Sequence, residues 1–275
     1  NLSMVFAGVG GSAEVLTGAS SYSGTTNINS GVLLVNGSLH SGGTVTVNYD
    51  SVNPTSNPGV LSGIGTITGN VVVAGDGTVT HNGVLTPGSS LPNVAAPDST
   101  HIAGLLAIAG NLTVSGTYLW DLTAATNSAA MAGVAYDQVA LGGHTLTLNS
   151  VAGQAPVFEL NLAAAAKPSG NAFWSTNESW NVVTGLTGDP SSQFQLSLAQ
   201  PNTWSSLGAF SLSYASGNEL LLWTPTSVPE PGTVLLGSLA ALGFGVRGWR
   251  RRRQGLPNAI NASAPASRQR PAACE

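Results

Sequence analysis

Of 275 residues, only 7% are Asp, Glu, Lys or Arg, against about 25% in an ordinary soluble protein. Neutral polar groups take their place: 32 Ser, 25 Thr and 21 Asn, with 35 Gly besides. This composition argues against a coiled coil, which needs Glu, Lys and Arg in bulk, and against a nucleic-acid binder, which needs a basic field; an apolar content of 42% argues against a disordered chain.

The few charges are segregated. Before Arg247 the only cation is Lys167, against eleven acids; from Arg247 onward seven Arg face one Glu. A chain split in this way has different destinations for its two ends. Cys274 is the sole cysteine, so no internal disulfide forms. The sequence opens at Asn1 without an initiator Met or a basic n-region, and Met4 to Val9 is only faintly apolar. If the chain is exported, its signal peptide has been removed or lies upstream.

Residues 1–90 are a train of short β runs cut by Gly, Asn and Asp. Thr26–Ile28, Val32–Val35, Val45–Val47, Gly65–Thr68, Val71–Val73, Thr78–Thr80 and Val84–Thr86 are each followed at once by turn residues. Helices need longer uninterrupted segments. Strands this short and this regular predict stacked rungs of a β-solenoid, in which each rung buries its apolar side chains against its neighbours. Stacked Asn, Ser and Thr share hydrogen bonds where stacked charges would repel, which accounts for the composition.

Gly18, Tyr22, Ser23-Gly24, Thr25-Thr26, Ile28, Gly31, Leu33 and Val35-Asn36-Gly37 resemble the autotransporter-associated β-strand repeat, continued by Gly63–Val71 and Leu85–Gly88. The resemblance covers residues 18–88. It implies an exported, passenger-type body built as a right-handed parallel β-helix.

Residues 91–226 read as a continuing β region of different texture. Apolar alternation recurs in Leu112–Val114, Tyr118–Leu122, Leu146–Leu148, Phe194–Leu198 and Phe210–Tyr214, and Glu219–Trp223 reads as the final strand. Period-two alternation predicts one packed and one wet face, which places Asp121 in solvent. Ala163–Ala166 suggests a short helical turn ended by Lys167-Pro168. Trp174, Trp180 and Trp204 are expected in loops, as a lid over the end of the stack or, in a second reading, as a platform on which sugar rings stack.

A β-helix can carry polysaccharide chemistry, so catalytic constellations matter. Proton abstraction beside a uronate calls for a cationic base or bound calcium, and Lys167 is alone. Glycoside hydrolysis needs two carboxylates about 5–9.5 Å apart, and only Asp121 and Asp137 are candidates. His40, His81, His101 and His144 have no zinc-ligand spacing, no G-x-S-x-G occurs, and Gly75-Asp76-Gly77 does not recur as a calcium array would. The sequence therefore predicts no enzyme, no cofactor and no metal site.

At Thr224–Pro231 the texture changes to a Pro-rich linker, and Gly232–Val246 follows as fifteen residues without a charge. In helical form this span reaches about 22 Å, short of a ~30 Å hydrocarbon core. Trp249 and the cluster Arg247, Arg250, Arg251, Arg252 and Arg253 favour a short membrane span whose Arg-rich end is cytoplasmic. Gly232, Gly237, Ala241 and Gly245 line one side of it, as helix pairing would require.

Val228-Pro229-Glu230-Pro231, one apolar span and an Arg cluster, in that order, are similar to a PEP-CTERM sorting signal over residues 227–253. The resemblance implies an exosortase-type membrane enzyme as partner, in bacteria that make extracellular polysaccharide. Residues 254–275 extend beyond the usual end of such signals as a Pro/Ala/Ser/Asn tail with Arg268 and Arg270, read as disordered.

The combined expectation is an all-β chain: a parallel β-helix, a further β region and one short C-terminal transmembrane helix. Its function is that of a noncatalytic exported surface or matrix protein, held transiently in the inner membrane and then moved to the cell surface, with the membrane, the sorting enzyme and extracellular polysaccharide as partners. A carbohydrate-binding adhesin and a polysaccharide-active enzyme are the alternatives.

Overall fold

A computed structural model describes residues 4–7, 12–49, 58–78, 81–88, 102–162, 171–190, 192–198, 204 and 206–226. The chain divides into two compact units, Asn1–Thr226 and Ser227–Glu275, and every described residue belongs to the first.

The described residues are nearly all β. The strands are β1 (Met4–Ala7), β2 (Ala13–Leu16), β3 (Ala19–Tyr22), β4 (Thr26–Val35), β5 (Ser38–Ser41), β6 (Val45–Val47), β7 (Gly59–Gly63), β8 (Thr66–Ile67), β9 (Val71–Val73) and β10 (Val84–Pro87). They continue as β11 (Leu105–Ile108), β12 (Leu112–Val114), β13 (Thr117–Leu122), β14 (Gln138–His144), β15 (Leu146–Leu148), β16 (Val157–Leu162), β17 (Glu178–Leu186), β18 (Gln195–Leu198), β19 (Gly208–Ala215) and β20 (Asn218–Pro225). Short 3₁₀ turns cover Ala129–Met131 and Ala172–Ser175.

Successive strands enter three parallel ladders in turn. The first runs β4-β6-β9-β12-β15, with β1 on the other side of β4. The second runs β2-β4-β7-β10-β13-β16-β18, and the third β3-β5-β8-β11-β14-β17. Long β4 serves two ladders: Thr26–Ile28 pair with β6, and Gly31–Leu34 with β7. Gly31, at φ +78°, makes the bend between them, a conformation that a Cβ disfavours. The result is a curled parallel sheet. Its ladders cross residue 90 without a break, β10 pairing with β13 and β8 with β11.

Parallel register stacks like on like. Leu33, Leu61, Leu85, Tyr118, Phe158 and Leu196 form one column, and Ile28, Val47, Val73, Val114 and Leu148 another. Most of these side chains are fully buried, each contributing on the order of 1.5–3 kcal/mol. Neutral polar groups stack as well. Asn70 Oδ1 accepts the Asn111 amide at 2.9 Å, Asn111 Oδ1 accepts the Thr145 amide at 3.1 Å, and Asn48 Nδ2 donates to Asn29 Oδ1 at 2.8 Å. Each bond ties one pass of the chain to the next without placing like charges in register.

Toward its C-terminal end the core becomes aromatic, and the chain reverses direction. β20 pairs antiparallel with β17, and β19 antiparallel with β20. Trp174, Trp180, Trp204, Trp223 and Phe210 pack together there, with the Trp174 and Trp204 centroids 4.7 Å apart.

Three expectations change. Trp180 lies within β17 rather than in a loop, opposite Leu221 of β20. Thr78 sits in a bend, held by Asp76 Oδ1, which accepts its amide at 2.7 Å; the rest of the run to Thr80 lies outside the described residues. Asp121 is not in solvent: all six residues of β13 are buried, Asp121 at 2% exposure. The alternation in β13 is real, but both faces of the second ladder are covered. Its opposite side carries a separate buried cluster of Val32, Leu34, Val60, Val84 and Leu119. The expected turn at 163–166 lies outside the described residues.

Candidate functional site

Asp121 and Asp137, 16 residues apart in sequence, meet inside the fold. Asp137 precedes β14 and is wholly buried. Its Oδ1 accepts the Gly104 amide at 2.8 Å, its Oδ2 accepts the Asp121 amide at 3.2 Å, and the two carboxyls are hydrogen-bonded to each other. Asn161 Nδ2 donates to Asp121 Oδ1 at 2.5 Å from the paired position on β16, and the Trp120 indole donates to the Asp137 carbonyl at 2.7 Å. Burial first, and then the Asp121 charge, push the Asp137 carboxyl well above the usual carboxylate range. The same burial, with both acids nearby, raises the Tyr118 phenol.

The bonds of this pair brace β13, β14 and β16. The pair has no room for hydrolysis of a glycosidic bond, because carboxyls in hydrogen-bond contact are closer than the roughly 5 Å a retaining mechanism needs. Asp137→Ala strands the Gly104 and Asp121 amides in the interior. The expected outcome is a loss of roughly 3 kcal/mol in denaturant unfolding, with no change in the circular dichroism of the variant that still folds.

The tryptophans expected as a sugar platform are closed to solvent. Trp174, Trp180 and Trp204 are exposed by 4%, 1% and 1%, and their ring faces meet other aromatics. They close the end of the core, as the lid reading requires. Of the histidines, His40 Nδ1 lies 2.9 Å from Thr68 Oγ1, and His81 Nδ1 lies 3.2 Å from Asp76 Oδ2. Among the described residues no group of three or more His, Cys, Asp or Glu is placed to hold a metal ion. A cavity of about 310 Å³ is lined by Val157, Glu159, Gln195, Leu196 and Ser197, at the β16–β18 end of the second ladder. Burial, and then Asp121, raise the Glu159 carboxyl.

The sequence singled out Asp121 and Asp137 as the candidate acidic pair but placed Asp121 in solvent, because the residues between the two carry no pattern that brings them together. The signal present was an acid inside the apolar run Tyr118–Leu122, whose partner on β16 is an amide side chain.

Val228, Pro229, Glu230, Pro231, Arg247, Arg250, Arg251, Arg252 and Arg253 lie outside the described residues, as do Lys167, the span 232–246 and the tail 254–275. No helix among the described residues is long and apolar enough to cross a membrane. Comparison with known families assigns residues 227–253 to the PEP-CTERM protein-sorting motif. No curated protein matches the chain. The motif supports export and sorting to the cell surface by an exosortase-type membrane enzyme.

Proposed function

We propose that the chain is a noncatalytic surface or extracellular-matrix protein, a right-handed parallel β-helix delivered and transiently anchored by its C-terminal sorting segment. The observation that carries this reading is the sorting motif at residues 227–253, which begins two residues after β20 ends. The body ahead of it suits exposure at a cell surface. Three parallel ladders visited in turn are the pattern of a β-helix, and crossovers between parallel strands are right-handed in nearly all proteins. The likeness of residues 18–88 to the autotransporter-associated repeat points the same way.

The chemistry of the segment follows from its order. A Pro-rich stretch is extended and has few backbone donors, so it is accessible to a membrane enzyme without prior unfolding. Glu230 is the one charge in it. The uncharged span 232–246 is shorter than a secure membrane helix, and Arg250–Arg253 stop translocation on the cytoplasmic side. The enzyme recognises Pro229-Glu230-Pro231, cuts nearby, and releases or re-attaches the body at the cell surface or in a polysaccharide matrix.

The test is intact mass of the surface-located protein in a host that has the sorting enzyme. Mature protein lacking Arg250–Arg253 is expected, and Glu230→Ala leaves the uncut chain in the inner membrane. Surface protein that retains the Arg cluster would leave a permanent single-span anchor as the correct reading.

A further inference from the structure

Glu219, on β20, points to the same side of its strand as Leu221 and Trp223, and all three are fully buried. Neither of its carboxyl oxygens has a hydrogen-bond partner among the described residues. This sets it apart from Asp137, whose carboxyl accepts two backbone amides, and from Asp121, whose carboxyl accepts the Asn161 side chain. A buried carboxylate without a partner is strongly disfavoured, so the charge must be removed or balanced. None of the described residues is a Lys or Arg, so no such side chain among them balances the charge.

The titratable groups on the neighbouring elements do not balance it either. Tyr214 stands opposite Glu219 on β19, and Asp189 follows β17. Glu178 lies at the far end of β17, opposite Trp223, and His144 is on β14, opposite Leu186. Asp189 is exposed and adds negative charge. Burial first, then Asp189, push the Glu219 carboxyl up to about 7.

The strand that carries this group holds the lid. Trp223 is two rows from Leu221 on the same face, its indole donates to the Trp174 carbonyl at 3.0 Å, and its ring centre lies 4.8 Å from that of Phe210 on β19. β20 also leads directly into the sorting segment, which starts at residue 227.

We propose that Glu219 is a proton-operated latch: the β19–β20 hairpin stays docked on β17 while this carboxyl carries its proton, and is released when the carboxyl ionises. The sign is fixed by the direction of the shift. The folded-state value lies above the ordinary glutamate value of 4.5, so the contribution to stability is complete below 4.5 and is lost as pH rises through about 7. Release frees a length of chain ahead of residue 227 and uncovers the tryptophan lid. The link to sorting rests on the function proposed above; the latch itself does not.

The test uses the purified full chain in mild detergent, without the sorting enzyme, so that failure of the latch and failure of the sorting reading remain distinct. Hydrogen exchange of β19 and β20 amides should gain, beyond the intrinsic pH effect, up to roughly tenfold per pH unit between 4.5 and 7 and level off above 7, while β6, β9 and β12 stay protected. The melting temperature should fall by roughly 5 °C between pH 5 and 7 and change little above that. Glu219→Gln, which mimics the protonated group, abolishes both changes, and Asp189→Asn moves the midpoint to lower pH. A Glu219→Gln chain with the wild-type pH response, or a wild-type chain with no response, overturns the proposal. So does removal of the response by roughly 1 mM calcium, since a bound cation would then be the group that neutralises Glu219.

Discussion

Trp180→Ala is expected to lower the unfolding free energy by about 3–5 kcal/mol and the melting temperature by roughly 10 °C. Its indole is 1% exposed, with the ring centres of Trp120, Trp174 and Phe173 at 5.8, 5.9 and 6.0 Å. Nε1 donates to the Thr126 carbonyl at 2.7 Å, so truncation opens a cavity and orphans an acceptor together. Trp180→Phe keeps part of the ring packing and recovers part of the loss. Denaturant unfolding followed by circular dichroism measures both variants. The same experiment bears on the adhesin reading. A residue that served as a sugar platform would lose glycan binding on truncation while stability held. A buried ring loses stability first, and any change in binding follows the unfolded fraction.

Gly65→Ala should cost about 3 kcal/mol or more, although it adds one methyl group. A Cβ at Gly65 would stand 2.0 Å from the Gly37 carbonyl oxygen and 2.7 Å from that of Val35. Both oxygens are already engaged: Val35 O accepts the Gly65 amide at 2.8 Å, and Gly37 O accepts the Thr66 amide at 3.0 Å. Neither atom can move without breaking the stacking of one pass on the next. Gly18→Ala is the control. Nothing lies within 4 Å of a Cβ there, and a change within about 0.5 kcal/mol is expected. Equal changes at the two positions would mean that close approach does not govern this turn.

Much of the fold was legible because parallel stacking leaves a repeating trace. Val45–Val47 and Leu112–Val114 each put two apolar residues around a threonine, Val71–Val73 keeps the same three-residue spacing, and the three are neighbours in one ladder. Their boundaries were legible from the Gly and Asn that follow. The hairpin β19–β20 was visible as two alternating runs, but not its antiparallel docking on β17, since alternation carries no direction. Asp121 was misplaced for a related reason. Alternation separates two faces without saying that both are covered, and coverage of the second ladder is a tertiary fact. Glu219 looked like an ordinary charge at the start of a strand. Its state depends on burial under neighbouring strands and on Asp189, thirty residues away in sequence. The sorting segment was the reverse case: three short elements in order were enough, with no fold needed to recognise them.

Val45, Val71, Leu112 and Leu146 occupy one register, although the excursions between them differ widely in length. The ladders thus work as a ruler that measures position and ignores path length. Insertions confined to an excursion leave every column intact, and loss of one complete excursion with its three strands brings equivalent strands into contact again. Such a body changes size in whole increments. The number of stacked increments is set by how many the gene encodes, while the surface of each is set independently by what its excursion contains.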